Sequence, residues 1–185
     1  MKFNKTNILD CTLVQSEVYK DRRGSFTKIF HNDLYSENSI NISFKEQFFT
    51  RSNRNVLRGM HFQIPPYDAG KLVTCIYGSV LDVVLDLRKG SPSFGKFDTI
   101  ELTPESGLSI YIPNGVAHGF LSLQKDSILM YSTSSIYAPK YDSGIRWDSF
   151  GYNWPSKEKF NISERDKKMI KLPEFKTPFV YPDDK

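Results

Sequence analysis

The sequence predicts an all-β protein, a sandwich or barrel with a few short flanking helices, one of them near the C-terminus. Three observations carry this reading. From Ile8 to Ile136 the chain falls into short runs rich in Val, Ile, Leu, Phe and Tyr, separated by turn formers roughly every 8 to 15 residues. Two of these runs, residues 71–77 and 80–87, are joined only by Gly78-Ser79, which reads as a two-residue hairpin turn. A third run, 108–112, is stopped abruptly by Pro113-Asn114-Gly115. At 185 residues the chain fits one domain, and a domain of that size buries roughly 70% of its unfolded surface, enough for a core with an internal pocket. The expected organisation is N-terminal strands and an arm over 1–50, a barrel core over 51–148, and a C-terminal helix and tail over 149–185.

Element by element, residues 31–40 carry a helix-compatible period. In 80–87 alternation puts Asp82, Val84 and Asp86 on one face and Leu81, Val83, Leu85 and Leu87 on the other. The carboxylate face is either a polar interior or a solvent face. Ser91-Pro92-Ser93-Phe94-Gly95 is a tight loop; 97–102, 108–112 and 127–132 are strands. Residues 156–171 are again helix-compatible, with an N-cap at Ser163, acidic residues early and basic ones late. From Pro173 a Pro-punctuated tail is expected to lie over the surface or fray.

Net charge is +4 with a pI of about 8.9, yet no block of five like charges occurs, so phosphate-bearing small ligands are favoured over nucleic acid. Two cysteines, Cys11 and Cys75, are too few for a disulfide scaffold or a zinc cluster, and a reducing compartment is the default. No run approaches the ~18 apolar residues that span a bilayer. The expectation is a soluble cytoplasmic protein without membrane or nucleic-acid partners.

The chemistry gathers around two histidines. His61 sits in Leu57-Arg58-Gly59-Met60-His61-Phe62-Gln63, and His118 in Ile112-Pro113-Asn114-Gly115-Val116-Ala117-His118-Gly119-Phe120. Each is flanked by small residues that suggest close approach of a ligand. His61 alone could be an ordinary strand histidine, and His118 a loop histidine. In a strand, His61, Gln63 and Gly59 share a face. Metal binding requires three or four converging ligands, whereas a glutamine, Gln63, stands where a second histidine would ligate and Lys71 would repel a cation. His31, in a polar stretch, is expected to be exposed. No metal is expected. Tyr131, in Ile128-Leu129-Met130-Tyr131-Ser132-Thr133, reads by itself as a half-buried strand aromatic.

Taken together these segments resemble the dTDP-4-dehydrorhamnose 3,5-epimerase family, metal-free cupin-type jelly rolls acting on nucleotide-linked 4-keto sugars. The resemblance runs from Asp21-Arg22-Arg23-Gly24-Ser25-Phe26 through the two histidine segments, Lys71-Leu72-Val73, Asp82 to Arg88, Ser91 to Gly95, Tyr131 and Tyr137-Ala138-Pro139 to Gly144-Ile145-Arg146-Trp147-Asp148. It covers roughly residues 5 to 173. It implies a cupin-type jelly roll, a 3- and/or 5-epimerase serving surface polysaccharide synthesis, no cofactor, and a homodimer that exchanges N-terminal strands.

The resemblance also implies roles. His61 is the general base, Asp166 orients it, and Tyr131 is the acid on the opposite face; Lys71 steadies the enolate oxygen. Arg23, Arg58 and Lys167 take the diphosphate, Phe26 borders the base or sugar, and Gln47, Gln63, His118 and Tyr137 complete the substrate-binding set. This chain departs from the family pattern in carrying Lys28 for a usual glutamate and Gln47-Phe48-Phe49 for a usual Gln-x-Asn. Those departures leave dTDP, GDP and CDP carriers open, and a hexose or a heptose. A C3-only epimerase, a 3,4-ketoisomerase and a non-catalytic sugar-nucleotide binder are the competing readings.

Overall fold

The computed structural model describes residues 1–155 and 159–181. In chain order the strands are β1 (Lys2–Lys5), β2 (Thr12–Gln15), β3 (Val18–Asp21), β4 (Gly24–Thr27), β5 (Glu46–Asn53), β6 (Leu57–Gln63), β7 (Lys71–Tyr77), β8 (Val80–Asp86), β9 (Phe97–Leu102), β10 (Leu108–Ile112), β11 (Val116–Ser122), β12 (Asp126–Thr133) and β13 (Asp142–Gly144). Helix α1 spans Asn32–Glu37 and α2 Glu164–Lys167, and a 3-10 turn covers Leu172–Glu174. The helical expectation over 156–171 thus shrinks to one turn; its first three positions lie outside the described residues. Ser163 does cap that turn, its hydroxyl accepting the Asp166 N–H at 3.0 Å. None of the described helices is long and apolar enough to cross a membrane.

Two antiparallel sheets face each other. One runs β1-β2-β10-β7-β12-β5, the other β13-β6-β11-β8-β9, and β3 and β4 form a separate hairpin. From β5 to β8 successive strands alternate between the sheets, and so do β10, β11 and β12, the pattern of a jelly roll. The hairpin expected at Gly78-Ser79 is therefore a corner. β7 pairs with β10 and β12, β8 with β9 and β11, and the link carries the chain from one sheet to the other. Gly78 has φ +77°, and a Cβ there would lie 2.2 Å from the Asp126 carbonyl. A tight corner and a hairpin ask the same thing of a glycine, which is why local sequence does not separate them.

Between the sheets lies a core of Val73, Cys75, Ile110, Ile112 and Leu129 from the first and Val80, Val84, Leu102, Val116 and Phe120 from the second. Both faces of β8 are buried. Val83 and Leu85 pack under the C-terminal segment, against Ile145, Phe150, Trp154 and Phe179. Asp82 and Val84 point inward, so the carboxylate face is polar interior and not a solvent face. The tail is anchored where it is described: the Phe179 carbonyl accepts from Lys89 N–H, and Tyr181 N–H donates to the Lys89 carbonyl. On the outside of the first sheet, Tyr35 of α1 packs with Phe3, Phe30 and Phe44 over Val14 and Leu72. His31, at the start of α1, is half-buried, correcting the expectation of exposure.

The small residues beside the histidines prove to serve backbone packing. A Cβ on Gly59 (φ +135°) would fall 2.5 Å from the Gly119 Cα, and one on Gly119 would fall 2.8 Å from the Arg58 carbonyl. The two strands close on each other here, at an irregularity in the β6–β11 ladder. What the glycines admit is the neighbouring strand, not a ligand.

Candidate active site

A cavity of about 360 Å³ opens between the sheets. Its wall includes Glu46 and Phe48 of β5, His61 and Gln63 of β6, Lys71 at the start of β7, Tyr137, Asp142 of β13 and Arg165 of α2. His61 and His118 are register partners across β6 and β11, which brings the two histidine segments together as neighbours.

His61 Nε2 lies 2.9 Å from Asp166 Oδ1. The other carboxylate oxygen accepts the Gly59 N–H at 3.1 Å. Burial would raise the Asp166 carboxyl, but the hydrogen bond and charge of His61, the Gly59 amide and the Ser163 contact outweigh it and hold the group below the usual carboxylate range. An ionised carboxylate only accepts, so His61 donates Nε2–H to it and keeps its lone pair on Nδ1. That is the tautomer and the orientation a proton-abstracting imidazole needs.

Lys71 reaches toward the His61 carbonyl, Nζ to O 3.5 Å. Burial pulls its ammonium down to about 8, against the pull of Asp82 and Asp142 in the other direction. Tyr131 is 7% exposed and stacks on Phe48 at 4.8 Å and 11°, with the His118 ring edge-on at 5.8 Å. It does not itself line the cavity; Phe48 does. Burial pushes the phenol well above its ordinary range, with Thr50 and the Arg58 charge pulling the other way. His118 is buried, its Nε2 2.6 Å from Oδ2 of the fully buried Asp82. Asp82 Oδ1 has no hydrogen-bond partner.

The remaining expected residues scatter. Gln63 borders the cavity, but its amide is spent on backbone: Nε2 donates to the Tyr67 and Ile136 carbonyls, and Oε1 accepts the Ala138 N–H. Tyr137 is on the wall, its hydroxyl donating to Asp142 Oδ2 at 3.2 Å, and the Asp142 charge raises the phenol. Arg58 is turned to Ser52 Oγ and the Arg51 carbonyl and does not line the cavity. Gln47 also stays off the wall, its amide on Ser132 Oγ at 2.9 Å, because Glu46 and Phe48 hold the inward positions of β5. Lys167 pairs with Glu164 at 2.6 Å and borders a different hollow with Trp147 and Phe160. Arg23 and Phe26 sit exposed on the β3–β4 hairpin, Arg23 paired with Asp21. Within one chain they do not reach the cavity.

Three charged wall residues escaped the sequence reading: Glu46, Asp142 and Arg165. Glu46 follows by alternation once Phe48 is known to pair with the inward Tyr131, a register that only the folded sheet supplies. Nothing local marks Asp142 or Arg165. Among the described residues no group of three His, Cys, Asp or Glu side chains is placed to hold a metal ion.

Comparison with known proteins identifies the family. The chain matches the family described as dTDP-4-dehydrorhamnose 3,5-epimerase over residues 5–174. It is 38% identical over 177 residues to a Methanothermobacter thermautotrophicus dTDP-4-dehydrorhamnose 3,5-epimerase, covering 94% of this chain and 95% of that one. A Legionella pneumophila dTDP-6-deoxy-D-glucose-3,5-epimerase, solved in complex with dTDP-4-keto-L-rhamnose, superposes with a TM-score of 0.93 at 30% identity, covering 98% and 99% of the two chains. A 3'-monoepimerase from Streptomyces bikiniensis, solved with dTDP-quinovose, gives 0.85 at 28% identity over 91% of this chain and 86% of that one. The chain belongs to the dTDP-4-dehydrorhamnose 3,5-epimerase family, and it is an isomerase of the epimerase class with a cupin-like β fold.

Proposed function

We infer that this protein inverts C3, C5 or both in a nucleotide-diphospho-4-keto-6-deoxy sugar, by removing the proton beside the C4 ketone and returning one from the opposite face. The observation that carries this is the His61–Asp166 pair on the cavity wall with the Lys71 ammonium beside it. His61 Nδ1 takes the proton from carbon, and the electrons of the broken C–H bond move onto the ketone oxygen. The Lys71 ammonium meets that oxygen as it becomes an enolate. When the enolate collapses, a phenol supplies the new C–H proton. The resemblance gives that part to Tyr131, whose environment keeps it protonated; it lies behind Phe48, so the transfer requires the Phe48 ring to move aside. Proton out and proton in leave no redox change, so the reaction as written calls for no cofactor.

Likeness to a 3'-monoepimerase keeps inversion of C3 alone beside inversion of both centres. Incubation in heavy water with dTDP-, GDP- and CDP-linked 4-keto-6-deoxy sugars, hexose and heptose, tests the reading directly. Deuterium at C3, at C5 or at both, with one of these carriers, supports it, and the number of labels counts the centres. No label at either carbon with any carrier sinks it. Tyr131→Phe adds a finer outcome: exchange on the His61 face continues while inversion stops.

The working unit on this reading is a cytoplasmic homodimer with exchanged N-terminal strands and without nucleic-acid or membrane partners. The β3–β4 hairpin supports it, standing apart from both sheets and displaying Arg23 and Phe26 to a second copy. Mixing inactive Arg23→Ala and His61→Ala chains restores activity if the hairpin completes the partner's cavity.

A further inference from the structure

Val73, His118 and Phe48 lie around Tyr131, and they are held very differently. On β12, Tyr131 is in register with Val73 of β7 on one side and Phe48 of β5 on the other. Val73 is fully buried in the core. The His118 ring meets the phenol edge-on and is itself fixed by Asp82 at 2.6 Å. Phe48 lies flat on the phenol ring at 4.8 Å and 11°, yet it is 42% exposed and lines the cavity. Its strand ends the sheet, with a neighbour only on the β12 side among the described residues. Side chains turn between staggered rotamers, and of these three only Phe48 has open space to turn into.

That arrangement gives the enolate two unequal fates. Once His61 has taken the proton from carbon, the imidazolium can return a proton to the same face, and the centre is left as it was. Inversion needs the Tyr131 O–H to give its proton to the opposite face: the enolate electrons form the new C–H bond, the ketone is restored, and the phenolate takes a proton from water. The first path is open, because the His61 ring is on the cavity wall. The second waits for Phe48 to swing off the phenol. Resting on the functional reading above, we propose that Phe48 is a shutter over the acid and sets how often this protein inverts a centre for each proton it removes. A stacked aromatic pair resists separation by a factor of roughly two to ten, so the closed shutter slows inversion by about that much and leaves proton abstraction alone.

The test is a partition measured early in the reaction in heavy water, with whichever nucleotide-linked 4-keto sugar takes up label. Deuterium in the recovered starting isomer counts abstraction followed by return to the same face, and the epimer counts inversion. Phe48→Ala is expected to lower the ratio of exchange to inversion by about two- to tenfold, with total proton abstraction within about twofold. Phe48→Trp, a wider cover, raises the ratio. An unchanged ratio in Phe48→Ala overturns the proposal, and so does a slower inversion, which would make Phe48 a support for the phenol. A second readout needs no turnover. Tetranitromethane nitrates accessible phenols, and peptide mass mapping should find Tyr131 protected in the wild type and modified several-fold faster in Phe48→Ala. Equal protection in both overturns the shutter. If the wild type exchanges no label with any carrier while Phe48→Ala unmasks Tyr131, the functional reading fails and the cover over the phenol stands.

Discussion

The molecule contains two histidine–carboxylate pairs of almost the same construction, and they stand on neighbouring strands in register. His61–Asp166 opens to the cavity, with the imidazole 30% exposed and the carboxylate 4%. His118–Asp82 is sealed at 5% and 0%. The difference lies in what surrounds each. Asp166 has both oxygens engaged, and it arrives from α2, outside the barrel. Asp82 comes from β8, inside the barrel, and one of its oxygens has no hydrogen-bond partner. A carboxylate that is satisfied and held behind an accessible ring suits the base that the proposed reaction needs. The same pair closed in the core makes a brace for the Tyr131 ring, which His118 meets edge-on.

That comparison is easiest to break at the open pair. His61→Ala should lower kcat by about a thousandfold or more, with a smaller loss of stability than His118→Ala because Asp166 keeps the Gly59 N–H. Loss of deuterium uptake in the same variant ties the effect to proton abstraction. His118→Ala should do the reverse, costing about 3 kcal/mol of folding stability because it strands a buried carboxylate. A normal urea midpoint with a raised KM would instead place His118 on the substrate and end the distinction.

The two pairs also meet through Lys71. Its ammonium is the form that stabilises an enolate, and with the group drawn down to about 8 the rate should fall about tenfold per unit as pH rises beyond that value. Asp82 raises this group, so Asp82→Asn should move the basic limb of the pH–rate profile to lower pH, provided the variant folds. A limb that stays in place would show that the sealed pair does not reach the chemistry. The smallest effect belongs to Ser163→Ala. It removes the cap that fixes the turn holding Asp166, for about 1 kcal/mol of stability and a several-fold loss of kcat.

What the sequence made readable follows the range of the forces involved. The strand limits 71–77, 97–102 and 108–112 coincide with β7, β9 and β10, because alternation and turn residues act over a few positions. Resemblance grouped His61, Lys71 and Asp166, and the fold brings them together although they lie up to 105 residues apart. Long-range packing was not readable. Whether Gly78-Ser79 closes a hairpin or turns a corner depends on β10 and β12, not on the glycine. Whether Lys167 or Arg165 faces the cavity depends on how one helical turn is rotated against β13, and the phase of Gln47 depends on its pairing with Ser132.

The orienting carboxylate of the base comes from a segment that follows every barrel strand. Docking of α2 against β6 therefore joins the orientation of this imidazole to closure of the C-terminal segment, which also packs Phe150, Trp154 and Phe179 under β8.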